Sequence, residues 1–549
     1  MVSKLDLLII GIYLVGIVII GLRSGISHFM RGKSESNEYF LAGKSLRWPV
    51  IGLALFATNI SCIHIVSLAQ SGFDTGLLNG NFEWMAAFTL ILLALFFVPF
   101  YINSGVSTLP DFLEKRYNRQ CRDWLTVISI VSAVIIHIAF SLLAGGIVLE
   151  TLFGVNMYIS ISVLLLLIGI YTVVGGLKAV VVTESIQTIV LVVGAIIITI
   201  SAWLKLGGWS SLINVLESSN KMDMISMLRP HNDESGMPWY SVLLGYPILG
   251  VWYWCADQTI VQRVLGAKDE SHARVGALFC GFIKILPVFI FVLPGLMAYA
   301  LMENGLLDVS SILVNDVQGE PVVQSKGIYT LMVTQLLPSG LVGVVIAALI
   351  SALMSTVAGA LNSISTLVSY DLIRKFRPGT SDHQLVFYGR ISAVVAIIIS
   401  LLLLPALNTY ESLFVGLNDI IAHLAPPITC VFIVGIFWGK ASARSAQYTL
   451  LIGSIIGILV YSANKLFPDT LLGEIPFMMM AFYLFLFCLL LQIVLSYTFP
   501  VKHTVESKSL YWKSPFEPLA GKAWSGLGNY KLLSSILVIT MIVLYIIFR

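Results

Sequence analysis

The sequence predicts an all-α polytopic membrane protein with fourteen transmembrane helices. Hydrophobic residues fill 58% of its 549 positions and charged residues only 11%, against about a quarter charged in an ordinary soluble domain. Apolar runs recur along the whole length, each long enough to cross a hydrocarbon core of about 30 Å as a helix. Lys and Arg gather in alternate connections, as they do in loops retained on one side of a membrane. The lipid bilayer is therefore the surrounding phase, and no nucleic-acid partner is expected.

The runs are taken in order. Run 3–24 is too long for a signal peptide, and "RSGISHFMRGKSE" behind it lacks a small-x-small cleavage site, so it is a retained helix. Runs 48–72, 79–104, 124–151, 157–176 and 180–204 form a first block of five. After an outward loop at 205–238 come runs 239–256, 276–303, 338–368, 391–408 and 413–438, with a second long connection at 304–337 inside that block. Runs 446–464, 476–498 and 530–548 close the chain, the last two joined by an inward, aromatic linker at 499–529. The expected organisation is thus 1–47, an extra helix and inward loop; 48–204 and 239–438, two repeats; and 439–549, three further helices. An odd number of helices per block makes the second enter the membrane from the opposite side, an inverted repeat of the kind secondary transporters use.

Most of the 32 basic residues fall in seven connections that share one side if the N-terminus is outside, among them Arg23, Arg31, Lys33, Lys115, Arg116, Arg119 and Arg122. Both termini are accordingly expected outside, in a plasma membrane. The six cysteines are scattered, without the spacing of a disulfide framework or a zinc site.

The lead helix of each block is the most interrupted. In the first, "FATNISCIHIVSL" places Thr58, Asn59, Ser61, Cys62 and His64 in an apolar segment. Lipid tolerates such groups only against protein or a water-filled cavity, so they are expected to point inward at a helix break. In the second, "LGYPILGVWYWCADQ" offers Gly245, Pro247 and Gly250 as the loosening residues. Asn59 and His64 each have a bland alternative, satisfaction by a neighbouring helix; their concentration beside a break favours a binding site. Glu83 in "NFEWMAAF" is either an interfacial carboxylate or a site residue. Lys284 lies about 12 Å from the inner end of its span by helical rise, deep for snorkelling, and needs an acidic or hydroxyl partner. The stripe Ala347, Ser351, Ser355, Gly359, Ser363 permits close helix packing. The adjacent hydroxyls of Ser355 and Thr356 either bond the preceding turn or, set against carbonyls freed by the broken helix, make an all-oxygen cage for a hard cation. Trp252, Tyr253 and Trp254 lie too deep for an interface belt and suit either core packing or a pyranose face.

Six strings, "YFLAGKSLRWPVIGLALFATNIS", "FEWM", "TLPDFLEKRY", "VVVTESIQT", "VWYWCADQTIVQRVLGAK" and "LNSISTLVSYDLI", resemble the sodium/solute symporter family, most closely its sodium/glucose cotransporter branch, over residues 39–440. The resemblance implies a leucine-transporter-like five-plus-five inverted-repeat core with one extra N-terminal and three extra C-terminal helices. It implies a sodium ion held by the carbonyls of Ala57, Ile60 and Ala352 and the hydroxyls of Ser355 and Thr356, with Glu184 on the ion path, where an Asp is usual. It implies a small neutral sugar held by Asn59, His64, Glu83, Tyr253, Trp254, Lys284 and Asn418. Tyr253 would gate that sugar from inside, and Leu68, Phe82 and Phe414 from outside. Three further departures from the family pattern involve four positions. Asn418 stands where Gln is common, Gly250 where a polar residue is common, and Ala358 and Gly359 where two-sodium members carry hydroxyls, which implies one sodium per sugar.

Sodium-coupled symport of a glucose- or galactose-type hexose by alternating access is the expected function. The alternatives are a transporter of myo-inositol, another polyol or sialic acid, or a sugar sensor or leak channel on the same fold. An enzyme built on Ser61, His64 or Glu83 is disfavoured, since a broken helix is expected to part Ser61 from His64 and no oxyanion-hole motif is present.

Overall fold

In the computed structural model the described residues are 2–29, 36–231, 233, 237–315, 321–408, 413–470 and 473–549, with the side chains of 26–29 and 413–415 outside the description. Among them, eleven helices are long and apolar enough to cross a membrane. The shortfall from fourteen falls at three places, each with a physical cause. The lead helix of the first block is divided into Trp48–Asn59 and Cys62–Thr75, and an apolar stretch then runs on from Cys62 to Asn103 through the tight turn Gly76–Gly80. The expected runs 157–176 and 180–204 are joined in Met157–Leu206, 50 residues, which at 1.5 Å per residue would be about 75 Å and twice the bilayer. That helix turns at Gly176, whose φ of 60° and ψ of −159° suit glycine, and a side chain there would strike the Tyr39 carbonyl. The lead helix of the second block is likewise in pieces, Trp239–Val251 and Gln258–Leu265.

This second break is not where Gly245, Pro247 and Gly250 were expected to make it. All three lie within the continuous helix Trp239–Val251, and the break comes after it, through a wide π turn at Trp252–Ala256 to an extended Asp257 (φ −86°, ψ 123°). The glycines serve close approach instead. A side chain at Gly245 would meet the Met478 carbonyl, and one at Gly250 would meet Tyr246 and Thr89.

The centre is built around Leu341–Leu367, nearly every side chain of which is buried. Its stripe of Ala and Ser lets the broken helices and Met157–Leu206 pack directly on it. Lys4–Phe29 lies against the same two helices, and Asp6 accepts the N–H groups of Gly340 and Gly343, both at 2.7 Å. An anion there offsets the unsatisfied donors of the helix start. On the opposite margin, Ala443–Leu466, Phe477–Thr498 and Tyr530–Ile547 expose Ile455, Leu459, Leu490, Ile539 and Ile546, side chains suited to lipid.

Both long connections are folded. The first carries helix Trp209–Ser218, and Arg229 donates to the Thr75 carbonyl at 2.7 Å. The second carries an antiparallel hairpin, Leu313–Asn315 with Pro321–Val323, and helix Ile328–Leu336. Ser325 in that connection donates to Asp74 at 2.9 Å, so each connection grips the end of Cys62–Thr75.

Candidate functional site

The first break begins where Ile60 and Ser61 leave the helix for extended backbone. In a continuous helix the Ser61 N–H would bond to the Ala57 carbonyl. Here it donates to His64 Nδ1 at 3.3 Å, and Ser61 Oγ lies 3.1 Å from the same nitrogen, so that His64 caps the start of the second half-helix. The Ala57 and Thr58 carbonyls are thereby left without helical donors. Ser355 Oγ donates to Ala57 at 2.8 Å and to Ala352 at 3.2 Å; Thr356 Oγ1 donates to Thr58 and to Ala352, each at 3.1 Å.

Each hydroxyl bonds its own preceding turn and each also reaches a carbonyl freed by the break. Five oxygens converge: the Ala57, Thr58 and Ala352 carbonyls and the Ser355 and Thr356 hydroxyls. The set is wholly oxygen, which suits a hard cation once the hydroxyl protons turn away. Thr58, absent from the expected set, enters it through Thr356, whereas Ile60 is the residue at which the chain turns extended. Thr58 also extends the cluster inward, its hydroxyl donating to Glu184 Oε1 at 3.0 Å. Glu184 is paired with Arg263 at 2.5 Å, and both side chains are wholly buried.

Beside the cluster lies a cavity of about 90 Å³. Its wall includes Asn59, His64, Glu83, Tyr253, Trp254 and Asn418, six of the seven expected sugar residues. The seventh, Lys284, stands behind Glu83: it is ion-paired to that carboxylate, donates to Asn59 Oδ1 at 2.6 Å, and lies 5.6 Å from the Trp254 ring centre. Neither the interfacial reading of Glu83 nor snorkelling of Lys284 holds, because both side chains are almost fully buried. Lys284 turns inward because its helix loosens there: Glu270–Ile283 ends, and a π segment follows at Val288–Val292.

The gate residues separate. Tyr253 and Phe82 line the cavity, and Phe82 stacks on Phe477 with ring centres 6.2 Å apart. Leu68 is fully buried and is not among the lining residues. The Phe414 side chain lies outside the described residues. The expected parting of Ser61 from His64 is also corrected. They meet because Ser61 is the cap residue and His64 the third of the new helix, three-apart positions that a helix start brings together. The contact is a helix cap, with the imidazole accepting a backbone proton.

The model of the sodium:solute symporter family matches residues 39–453. The chain belongs to the sodium:solute symporter family. It is 33% identical over 469 residues to sodium/glucose cotransporter 4 of Danio rerio, covering 83% of this chain and 71% of that one. It is equally identical over 491 residues to sodium/glucose cotransporter 2 of Rattus norvegicus, covering 85% and 72%, and over 473 residues to sodium/glucose cotransporter 1 of Ovis aries, covering 82% and 71%. Among solved structures, a sodium-coupled sialic acid symporter in a substrate-bound outward-open state shares the fold with a TM-score of 0.78 at 20% identity, covering 91% of this chain and all of that one. A nucleobase-cation-symport-1 family transporter in a closed conformation gives 0.51 at 14% identity, covering 86% and 98%.

This symporter family member is thus a multi-pass membrane transporter and not an enzyme, with sodium as its coupling ion. Among polar residues at the centre, His137, Tyr246 and Arg263 escaped the sequence reading, while Thr58 was read as inward-facing but not as part of the oxygen set. Tyr246 lines the cavity and donates to the Phe82 carbonyl at 2.9 Å. Arg263 belongs to "QTIVQRVL", whose basic residue reads as an ordinary inward charge until Glu184, 79 residues earlier, is folded against it.

Proposed function

We propose that the chain carries a neutral hexose of the glucose or galactose type together with one sodium ion, by alternating access in a plasma membrane. The observation that carries this reading is the wall shared between the oxygen cluster and the cavity. Thr356 supplies a hydroxyl to the cluster and also lines the cavity, while the Asn59 side chain faces the cavity from the strand of backbone whose Thr58 carbonyl faces the cluster. Two ligands that hold one unwound segment favour the same arrangement of it, so each raises the other's affinity.

A neutral substrate is supported by charge. Lys284, the cation beside the cavity, is neutralised by Glu83, leaving a set of hydroxyl, amide, imidazole and carboxylate groups suited to several sugar hydroxyls. A carboxylate such as sialic acid would have to displace Glu83 from that lysine. The names of the relatives from Danio rerio, Rattus norvegicus and Ovis aries agree with a sugar. One sodium is supported by Ala358 and Gly359, which add no oxygen inward of the cluster, and by Arg263, whose guanidinium lies where a side chain on Gly359 would project. A tenfold sodium gradient supplies about 1.4 kcal/mol and 100 mV about 2.3 kcal/mol, enough for several-hundred-fold accumulation at one-to-one coupling.

The same reading divides Met157–Leu206 at Gly176, separates the stretch Cys62–Asn103 at Gly76–Gly80 and counts the second broken helix as one crossing. That restores fourteen crossings, both termini outside, with inverted repeats at 48–204 and 239–438. Uptake into proteoliposomes, with and without a sodium gradient, tests it against a panel of labelled glucose, galactose, myo-inositol and sialic acid. Concentrative, sodium-dependent uptake of a hexose is expected. Uptake of inositol or sialic acid alone would replace the substrate, and binding without accumulation would make the protein a sensor.

A further inference from the structure

The helix Arg119–Phe153 reaches the cavity with two polar side chains, His137 and Ser141, although none of the seven expected sugar residues comes from it. His137 belongs to the π segment Ala133–Ala139, and Ser141 follows at the start of Phe140–Phe153. Residues four apart share a helix face, and π segments gather at functional sites. The ring of His137 is held in place. Its Nε2 lies 2.9 Å from Asp257 Oδ2, while Asp257 Oδ1 accepts the Thr259 N–H at 2.6 Å and is so fixed to the start of Gln258–Leu265. The Tyr253 ring packs beside the imidazole, 5.7 Å away between centres.

Each residue has one polar atom left over. A carboxylate only accepts, so in the neutral ring Nε2 carries the proton and Nδ1 is an acceptor. His137 Nδ1 has no hydrogen-bond partner among the described residues, and neither has Ser141 Oγ. Other helical serines bond back one turn, as Ser162, Ser185 and Ser201 do at 2.7 to 2.9 Å. Ser141 does not. His137 is 3% exposed and Ser141 2%, yet neither atom is sealed off by protein, which leaves the cavity as what each faces. Polar atoms buried without a partner are costly, and these two are met only by what enters the cavity.

We infer that His137 and Ser141 are specificity-determining contacts to the transported sugar, a polar wall that adds to the seven expected residues. The inference rests on the sodium/sugar reading and narrows it. Nδ1 accepts a hydrogen bond from one sugar hydroxyl, and Ser141 Oγ donates to or accepts from a hydroxyl beside it. A hydroxyl can give the proton that Nδ1 lacks, whereas an ionised carboxylate or a deoxygenated carbon cannot. A site built to bond a hydroxyl discriminates against the analogue without it, because its own polar atom is then left unpaired.

The test pairs each side chain with each hydroxyl. Wild type, His137→Gln and Ser141→Ala are compared in proteoliposomes by competition of labelled hexose uptake with the parent sugar and with a panel of deoxy sugars, each lacking one hydroxyl. The glutamine amide keeps a donor for Asp257 and has no counterpart to Nδ1; the alanine removes only an oxygen. Each variant is expected to lower affinity for the parent sugar about three- to tenfold, the worth of one neutral hydrogen bond. Against one deoxy sugar that loss should vanish, variant and wild type binding it within about twofold, because the missing hydroxyl was the partner. A loss of the same factor against the parent and every deoxy sugar is what a merely structural role gives, and it overturns the contact. Unchanged affinity for the parent sugar overturns it too. The two failures are distinguishable: a wild type that accumulates no hexose sinks the sodium/sugar reading and the contacts with it, whereas hexose accumulation with uniform losses sinks the contacts alone.

Discussion

On the proposed reading Thr356 is the residue on which the two ligands meet, since its hydroxyl bonds the Thr58 carbonyl while the residue lines the cavity. Replacing Ser355 or Thr356 by Ala removes one of five converging oxygens. The sodium concentration for half-maximal uptake should rise about tenfold, the worth of about 1.4 kcal/mol of lost coordination; unchanged sodium dependence would count against the cage. Glu83→Gln acts differently, because it leaves Lys284 buried without its counter-ion, a change that costs about 3–5 kcal/mol in folded proteins. Sugar affinity should fall more than sodium affinity, as Glu83 and Asn59 share that lysine in the cavity wall. Gly359→Ser is no neutral addition of a hydroxyl: the new side chain meets the Arg263 guanidinium and disturbs its pair with Glu184. Measured sodium affinity should weaken while the coupling ratio is unchanged from that of the wild type. Much of the residue-level site was legible, because Asn59, His64, Ser355 and Thr356 are polar groups in segments where lipid forbids them unless they are used. His137 and Arg263 were not, since each declares itself only through a carboxylate brought beside it from 120 and 79 residues away.

At the scale of elements, the two breaks differ in how openly the sequence states them. The first is announced by a dense polar run, and the structure breaks within it, at Ile60–Ser61. The second is flanked by Gly245, Pro247 and Gly250, whose loosening signal is outweighed by packing: the space a side chain would need is already filled by Met478, Thr89 and Tyr246. The true signal was Asp257, a helix-capping residue read only as part of a string. Likewise Gly176 marks the turn that the gap between runs 157–176 and 180–204 implied, and its positive φ permits a test. Gly176→Val places a β-branched side chain in a left-handed conformation and against the Tyr39 carbonyl. It should destabilise the protein by at least about 2 kcal/mol, read as a lower thermal midpoint in detergent. Gly154→Ala provides the comparison: φ is also positive, but the space around it is open.

Across the whole molecule, one segment is held from several directions. The break at Ile60–Ser61 faces Leu341–Leu367 through the oxygen cluster, and the cavity lies between it and Trp239–Val251. The outer end of Cys62–Thr75 is gripped by both long connections. If sodium and sugar act by jointly ordering this segment, linkage requires their couplings to be equal: the factor by which saturating sodium tightens sugar must be the factor by which saturating sugar tightens sodium. Equilibrium binding to the purified protein, following Trp254 fluorescence at the cavity wall, measures both. A factor of about five or more in each direction, identical within error, is expected. Thr356→Ala should shrink the two together, because it loosens the shared wall, whereas Asn418→Ala, in the cavity wall on Leu413–Phe437, should weaken sugar and leave the factor nearly intact. Sodium that tightens sugar equally well in wild type and Thr356→Ala would place the coupling elsewhere than at this wall.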